Sequence, residues 1–311
     1  MTRQWRAENW GAPDTWTFAE VTTPKPQVGQ VTITVKAAGV NPADYKHVAV
    51  ANPAATLPVP IGYEVSGVIS DIGPDTVIAS GPVTIGDPVV AFRIAGGYAT
   101  EVTVSARDVF HKPSRLNDAE AANLLLVGTT AAQMLTVVHA QHGETILLHG
   151  ASGAVGVSVL QQAAELGVRV IGTASESNFG TVRRFGGIPV AYGPGLVERV
   201  REAAEHHVAA ALDAVGTDEA IDSSRELIAD PTRIVTIVNA KRASEEGFPA
   251  IFGSQPDSAR FRDEVRPHLL ELAEAGRLQV PVARTFRLNE APEALALVAA
   301  GHPGGKLALI P

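Results

Sequence analysis

One segment constrains this chain more than any other: Thr145-Ile146-Leu147-Leu148-His149-Gly150-Ala151-Ser152-Gly153-Ala154-Val155-Gly156. A short apolar run enters a turn of small residues, and helix-like spacing follows over 156–166. The Gly-x-Gly-x-x-Gly pattern is present in degenerate form, as Ala151-x-Gly153-x-x-Gly156 with Gly150 just before it. Small residues let the backbone approach a pyrophosphate. The next helix would then aim its free N–H groups and positive dipole end at the phosphates. Gly156 would let helix and strand pack closely. Packing alone also accounts for small residues in a strand–helix turn. The strand before, the helix after and the βαβ series beyond favour the dinucleotide. Gly150, Ser152, Gly153, Ala154, Val155 and Gly156 are therefore candidate cofactor-binding residues.

That series is readable along the chain. From about residue 119, apolar runs at 146–148, 168–172, 190–192, 209–212, 234–238 and 249–252 alternate with helix-like patterns at 156–166, 196–205 and 219–228. Such alternation predicts an α/β fold with a doubly wound, parallel Rossmann sheet. A long helix is expected over 259–275, with Leu269, Leu270, Leu272 and Ala273 on its apolar face. The first third has another texture. Val31, Ile33 and Val35 alternate with Thr32, Thr34 and Lys36. Further strand candidates at 65–69, 88–92 and 98–104 are punctuated by Gly73-Pro74, Gly81-Pro82 and Gly96-Gly97. Short strands with such turns predict a mostly antiparallel, barrel-like β domain. Strand patterns return at 280–288 and 306–310. The β domain is thus expected to be discontinuous, 1–120 with 279–311, around a dinucleotide-binding domain at 121–278.

Composition narrows the function classes. The 311 residues carry 33 acidic against 25 basic side chains, a net charge of −8, which argues against a nucleic-acid or anionic-membrane surface. Cysteine is absent, so a disulfide framework, a thiolate nucleophile and a Cys-ligated zinc are excluded. That agrees with a reducing cytoplasm. Residues 1–16 hold no apolar signal core. The uncharged stretches 121–140 and 145–164 could span a bilayer by length, but Asn123, Thr129, Thr130, Gln133 and His139 in one and three glycines in the other read as buried soluble elements. The pairs His139/His142 and His206/His207 have no nearby carboxylate in a recognised metal spacing, and no metal site is expected.

The second strand of the series ends near Thr173-Ala174-Ser175. An acidic residue there would hold the ribose 2′-hydroxyl of NAD. None of the three is acidic. Glu176 follows and argues for NADH, while Arg183 and Arg184 lie about two helical turns on. A 2′-phosphate suits a hydroxyl donor and a guanidinium, so Ser175 and Arg183 point to NADPH. Their plainer uses are a helix cap and a solvated face.

The remaining motifs carry a resemblance that covers essentially the whole length. Ala37-Ala38-Gly39-Val40-Asn41-Pro42-Ala43-Asp44, Gly62-Tyr63-Glu64-Val65-Ser66-Gly67, Val127-Gly128-Thr129-Thr130-Ala131-Ala132, Leu212-Asp213-Ala214-Val215-Gly216 and Gly304-Gly305-Lys306-Leu307 are similar to segments of the zinc-independent, zeta-crystallin-like quinone oxidoreductases of the medium-chain dehydrogenase/reductase superfamily. Glu64 stands where Asp is commoner. The resemblance implies a GroES-like β domain, a cleft between the domains and a homodimer. It places Asn41 and Asp44 at the nicotinamide and substrate side, and Thr130 at the nicotinamide or its ribose. It sets Ser175, Arg183 and Asn178 at the 2′-phosphate. Val215, Ile237 and Asn239 would line the nicotinamide pocket, and Lys306 would return near the phosphates. Tyr45 and Tyr63 are candidate proton donors or stacking rings, with core or rim packing the plainer reading. Residues 51–60 would form part of a substrate rim. Zinc-dependent relatives place a Cys near Asn41 and a His near Tyr63, and both ligands are missing here.

The chemistry follows from those missing ligands. Reducing a simple ketone builds charge on an alkoxide and calls for a Lewis acid or strong proton donor. Hydride addition to a quinone or activated alkene leaves a delocalised, far less basic anion, so positioning dominates. The expected activity is NADPH-dependent, metal-free reduction of a small quinone or α,β-unsaturated carbonyl. Two alternatives share the fold: a nucleotide-binding sensor or structural protein without turnover, and an enoyl-thioester reductase. The second ranks lower because no Lys/Arg stripe near 41–63 would guide a phosphorylated carrier. A third reading, a hydrolase, would use Ser152 as nucleophile with Asp213 and His302. Gly150-Ala151-Ser152-Gly153-Ala154 falls one residue short of the required elbow.

Overall fold

A computed structural model describes residues 2–53, 55–205, 207–301 and 304–311. The chain divides into two compact units, Met1–Leu126 with Leu270–Pro311, and Val127–Leu269.

The second unit is built on a five-stranded parallel sheet. Its strands in chain order are Thr145–His149, Arg169–Ala174, Ile188–Ala191, Ala210–Asp213 and Ile234–Thr236. In space they run third, second, first, fourth, fifth, so the order reverses beside Thr145–His149. Crevices that take ligands open at such a reversal, outside the carboxyl ends of the strands. Both faces of the sheet are covered, which explains why the strands read as continuous apolar runs. Ile146 and Leu148 face one core with Met134, Leu135, Val157 and Leu160. Leu147, between them, faces the other with Leu196, Val200, Ile221 and Ile228. The run at 249–252 contributes a single bridge, Thr236 to Ala250, rather than a strand. Pro249 supplies only its carbonyl, to Thr236 N–H, because proline has no N–H to give. The long helix spans Pro256–Glu274, three residues earlier than its periodicity predicts.

The first unit is antiparallel apart from one strand pair. Trp16–Val21, Thr2–Ala7 and Val59–Pro60 form a small sheet. The larger one runs Val282–Arg287, Lys306–Ile310, Gln30–Val40, Glu64–Ile72, Pro88–Phe92, Val109–His111. Gln30–Val40 is shared: Glu101–Ser105 pairs its first half and Lys306–Ile310 its last residues. Register shifts after Thr32 and Val35 bend this strand. The core gathers Trp5, Ile33, Val65, Tyr98, Leu295 and Leu309. The run at 98–104 becomes a regular strand only from Glu101, because Tyr98 O instead accepts Trp5 N–H of the small sheet. Thr32 departs from the expected alternation. It is buried, with its hydroxyl 2.8 Å from that of Thr103 across the sheet. No helix among the described residues is long and apolar enough to cross a membrane.

Candidate active site: a glycine turn and a buried polar cluster

The glycine turn is fixed by backbone. Gly150 has φ +80°, and its N–H meets the Thr173 hydroxyl at 3.2 Å. Ala151 N–H donates to Thr173 O at 3.0 Å and Gly153 N–H to Gly150 O at 3.0 Å. The helix Ala154–Glu165 then starts from an extended Gly153, and no side chain caps it. Its first N–H groups are therefore left for a ligand. Gly156 can carry no side chain: a Cβ there would lie 2.2 Å from Gly150 O. A Cβ on Gly153 would meet only Gly150 O, at 3.3 Å. Ser152, Ala154 and Val155 are half-buried and Gly153 is exposed. A tight turn opening onto an uncapped helix start fits a pyrophosphate.

Next along the rim, the Ser175 hydroxyl accepts from Asn178 Nδ2 at 2.9 Å and lies 3.0 Å from the Ser177 hydroxyl. Ser175 and Asn178 are thus together. Arg183 is exposed on the helix Phe179–Arg184, its guanidinium 5.6 Å from the Phe179 ring centre. Glu176 is exposed. Beyond the neighbouring strand ends lie Val215, Ile237 and Asn239. Asn239 caps the helix Ala240–Glu246 and donates through Nδ2 to Gly216 O at 3.1 Å. Thr130 is buried within the helix Leu124–Val137.

The first unit holds the other polar centre. Asn41, Asp44, Glu64, Tyr98 and Lys306 converge, none more than 5% exposed. Pro42 sits in the first turn of the helix Pro42–Ala49, where its missing N–H costs nothing. Asp44 Oδ2 accepts Asn41 N–H at 2.8 Å and the Tyr98 hydroxyl at 2.9 Å. Asp44 Oδ1 is buried without a hydrogen-bond partner. The Asn41 amide bridges two charges: its Nδ2 donates to Glu64 Oε1 at 2.9 Å and its Oδ1 accepts from Lys306 Nζ. Lys306 also donates to Val40 O at 3.2 Å and stands 3.7 Å from Glu64 Oε1. Glu64 Oε2 accepts Leu126 N–H at 3.1 Å.

Burial sets the protonation of this cluster. It pushes Asp44 up to about 7, against the donors Tyr98 and Asn41, with Glu64 adding to the rise and Lys306 opposing it. Burial also raises Glu64 and lowers Lys306, each opposed by the other's charge. Tyr98 is held well above its ordinary value by burial and then by Asp44.

The Lys306 ammonium, which the resemblance set near the phosphates, is spent inside the cluster. The cause is register: Leu307 pairs with Val40, which brings Lys306 against Asn41. Tyr45 is half-buried against the first unit's core. Tyr63 is half-buried too, its ring 5.0 Å from His47 and edge-on to Phe92 at 5.9 Å. Among the described residues no three His, Asp or Glu side chains are grouped to hold a metal ion. His142 packs against Gly167, and His139 supplies its carbonyl to Arg233. His206 and His302 lie outside the described residues. Asp213, the hydrolase acid, is bonded to Val215 N–H, Gly216 N–H and the Thr236 hydroxyl. Sequence reasoning missed Tyr98 and gave Glu64 no part in the site. A charged residue opening the apolar strand pattern at 65–69 was the available signal for Glu64.

The sequence and the fold are similar to those of known proteins. Residues 27–114 match the alcohol dehydrogenase GroES-like domain, and residues 189–309 a family described as zinc-binding dehydrogenase. A 2-haloacrylate reductase from a Burkholderia species is 28% identical over 326 residues, covering 97% of this chain and 96% of that one. A quinone oxidoreductase from Pseudomonas aeruginosa is 26% identical over 330 residues and covers both chains fully. The chain has the fold of the medium-chain dehydrogenase/reductase superfamily. Within it, a mycobacterial protein solved in complex with NADPH superposes with a TM-score of 0.83 at 25% identity, covering 100% of each chain. The antiparallel unit is accordingly GroES-like and the parallel one of Rossmann type. The relatives named here are oxidoreductases, and their nicotinamide-dinucleotide fold is this chain's as well.

Proposed function

We propose that the protein reduces a small quinone or α,β-unsaturated carbonyl with NADPH, without a metal. The observation that carries this reading is the uncapped start of the helix Ala154–Glu165 behind a turn in which Gly156 admits no side chain. The N–H groups of Ala154, Val155 and Gly156 bind the pyrophosphate. Ser175, Asn178 and Arg183 take the 2′-phosphate, and Glu176, exposed, leaves room for it. Val215, Ile237, Asn239 and Thr130 hold the nicotinamide end. When bound, the cofactor supplies the hydride. An acceptor whose reduced anion is delocalised needs no Lewis acid, in keeping with a chain that lacks the cysteine and histidine of zinc-dependent relatives. Asn41 and Asp44 keep the loop ahead of Pro42–Ala49 in one conformation, because every polar atom of Asn41 is tied inside the cluster. The half-buried phenols Tyr45 and Tyr63 are the proton donors or stacking rings for the acceptor, and the working form is a homodimer. Oxidation of NADPH by a panel of quinones and enones tests this, read from the absorbance of the reduced nicotinamide. Turnover with at least one acceptor is expected. Silence across the panel, with NADPH bound, would favour a nucleotide-binding protein without turnover.

A further inference from the structure

We propose that Asp213 and Thr236 act as positioning residues that lock together the two turns holding the nicotinamide end of the dinucleotide. This rests on the cofactor reading above. Asp213 ends its strand in register with His149 on one side and with Thr236 on the other. Three strands therefore finish at one level, below three consecutive turns. Asp213 Oδ1 accepts Val215 N–H at 2.9 Å and Gly216 N–H at 2.8 Å. Its Oδ2 accepts the Thr236 hydroxyl at 2.6 Å. The hydroxyl has then given its only proton, and it accepts Val238 N–H at 3.1 Å and Asn239 N–H at 3.2 Å. Four backbone N–H groups from two turns are thus drawn onto one buried carboxylate, two directly and two through one hydroxyl.

The turns so anchored interlock. Gly216 has φ +79°, and a Cβ on it would lie 2.5 Å from Val238. A Cβ on Gly150 would lie 2.7 Å from Val215. The glycine turn, the turn at 214–216 and the turn at 237–239 therefore form a continuous ridge. Val215 and Val238 stand on it 40% and 46% exposed, an aliphatic pair displayed at the carboxyl end of a parallel sheet. Such a surface suits the face of a flat ring. Among the described residues no ion pair holds Asp213. His149 beside it is buried and kept neutral by that burial, down to about 4, with its Nε2 3.1 Å from the Ser224 hydroxyl. The carboxylate is thus held by donors from the turns it organises, and anything that breaks the set frees both turns.

The test uses Thr236→Val and Asp213→Asn, with Ser224→Ala as a control that touches neither turn. Each is titrated with NADPH and with adenosine 2′,5′-bisphosphate, which carries the 2′-phosphate but no nicotinamide. Both positioning variants should bind NADPH roughly 10–100-fold more weakly while binding the bisphosphate as the wild type does. The control should bind both normally. In turnover, the KM for NADPH should rise with a smaller change in kcat. If Asp213→Asn does not fold, Thr236→Val carries the comparison, since it removes one hydroxyl at constant shape. Equal losses on both probes, no loss on either, or the same pattern in Ser224→Ala would overturn the positioning role. A wild-type protein that binds neither probe would overturn the cofactor reading itself, and this inference with it.

Discussion

The two polar centres of this molecule handle charge in opposite ways. At the glycine turn the second unit offers backbone dipoles to the outside, and its side chains are small because the function lies in leaving them out. In the first unit, two carboxyl groups, an ammonium, a phenol and an amide are all drawn inside, where desolvation must be offset by mutual contact. The first design leaves a local trace in the sequence and tolerates change poorly at a single atom. The second is assembled from distant strands and depends on every partner being present.

The comparison can be broken most forcefully at Lys306. Lys306→Met leaves Glu64 and Asp44 buried without their cation, and is expected to cost about 3–5 kcal/mol in urea unfolding, while Lys306→Met with Glu64→Gln recovers part of the loss. Equal instability of the single and double variants would deny that the pair is coupled. In the second unit, Gly156→Ala forces a Cβ to 2.2 Å from Gly150 O. It should abolish measurable NADPH binding and lower stability by about 2–3 kcal/mol, whereas Gly153→Ala, with its looser contact, should fold normally.

Titration sharpens the contrast further. Asp44 is raised from the ordinary carboxylate range to about 7, so the folded protein holds a proton there that the unfolded chain has released. Its stabilising contribution is complete below pH ~4 and is lost as pH rises through about 7. Asp44→Asn keeps an acceptor for Asn41 N–H and Tyr98, and should be more stable than wild type at pH ~8 by about 2–4 kcal/mol, a gain that disappears near pH ~4. His149 behaves oppositely: held down at about 4, it favours the fold above the ordinary imidazole value, and that contribution is lost as pH falls toward 4. Thermal unfolding across pH checks both directions. The smallest effect is at Arg183. Arg183→Ala should reduce the preference for NADPH over NADH roughly tenfold without changing stability, as read by paired titrations.

What the sequence disclosed follows from the same contrast. The turn at 150–156 was legible because a backbone constraint selects small residues at fixed spacing, and the strand series was legible because apolar runs buried on both faces are bounded by helical periods. The helix Pro42–Ala49 escaped notice because Pro42 reads as a breaker although it occupies a first turn. The buried cluster was not legible as a unit, since Asn41, Glu64, Tyr98 and Lys306 meet only through sheet register. Lys306 shows the cost: the resemblance sets it near the phosphates, and only the pairing of Leu307 with Val40 reveals that its ammonium is tied to Asn41.

Calorimetric titration of the intact chain with NADPH, alone and after saturation with adenosine 2′,5′-bisphosphate, puts the account most directly at risk. The account predicts saturable binding at one site per chain that the bisphosphate competes away. Heats that never saturate, or NADPH binding that the bisphosphate leaves untouched, would contradict it.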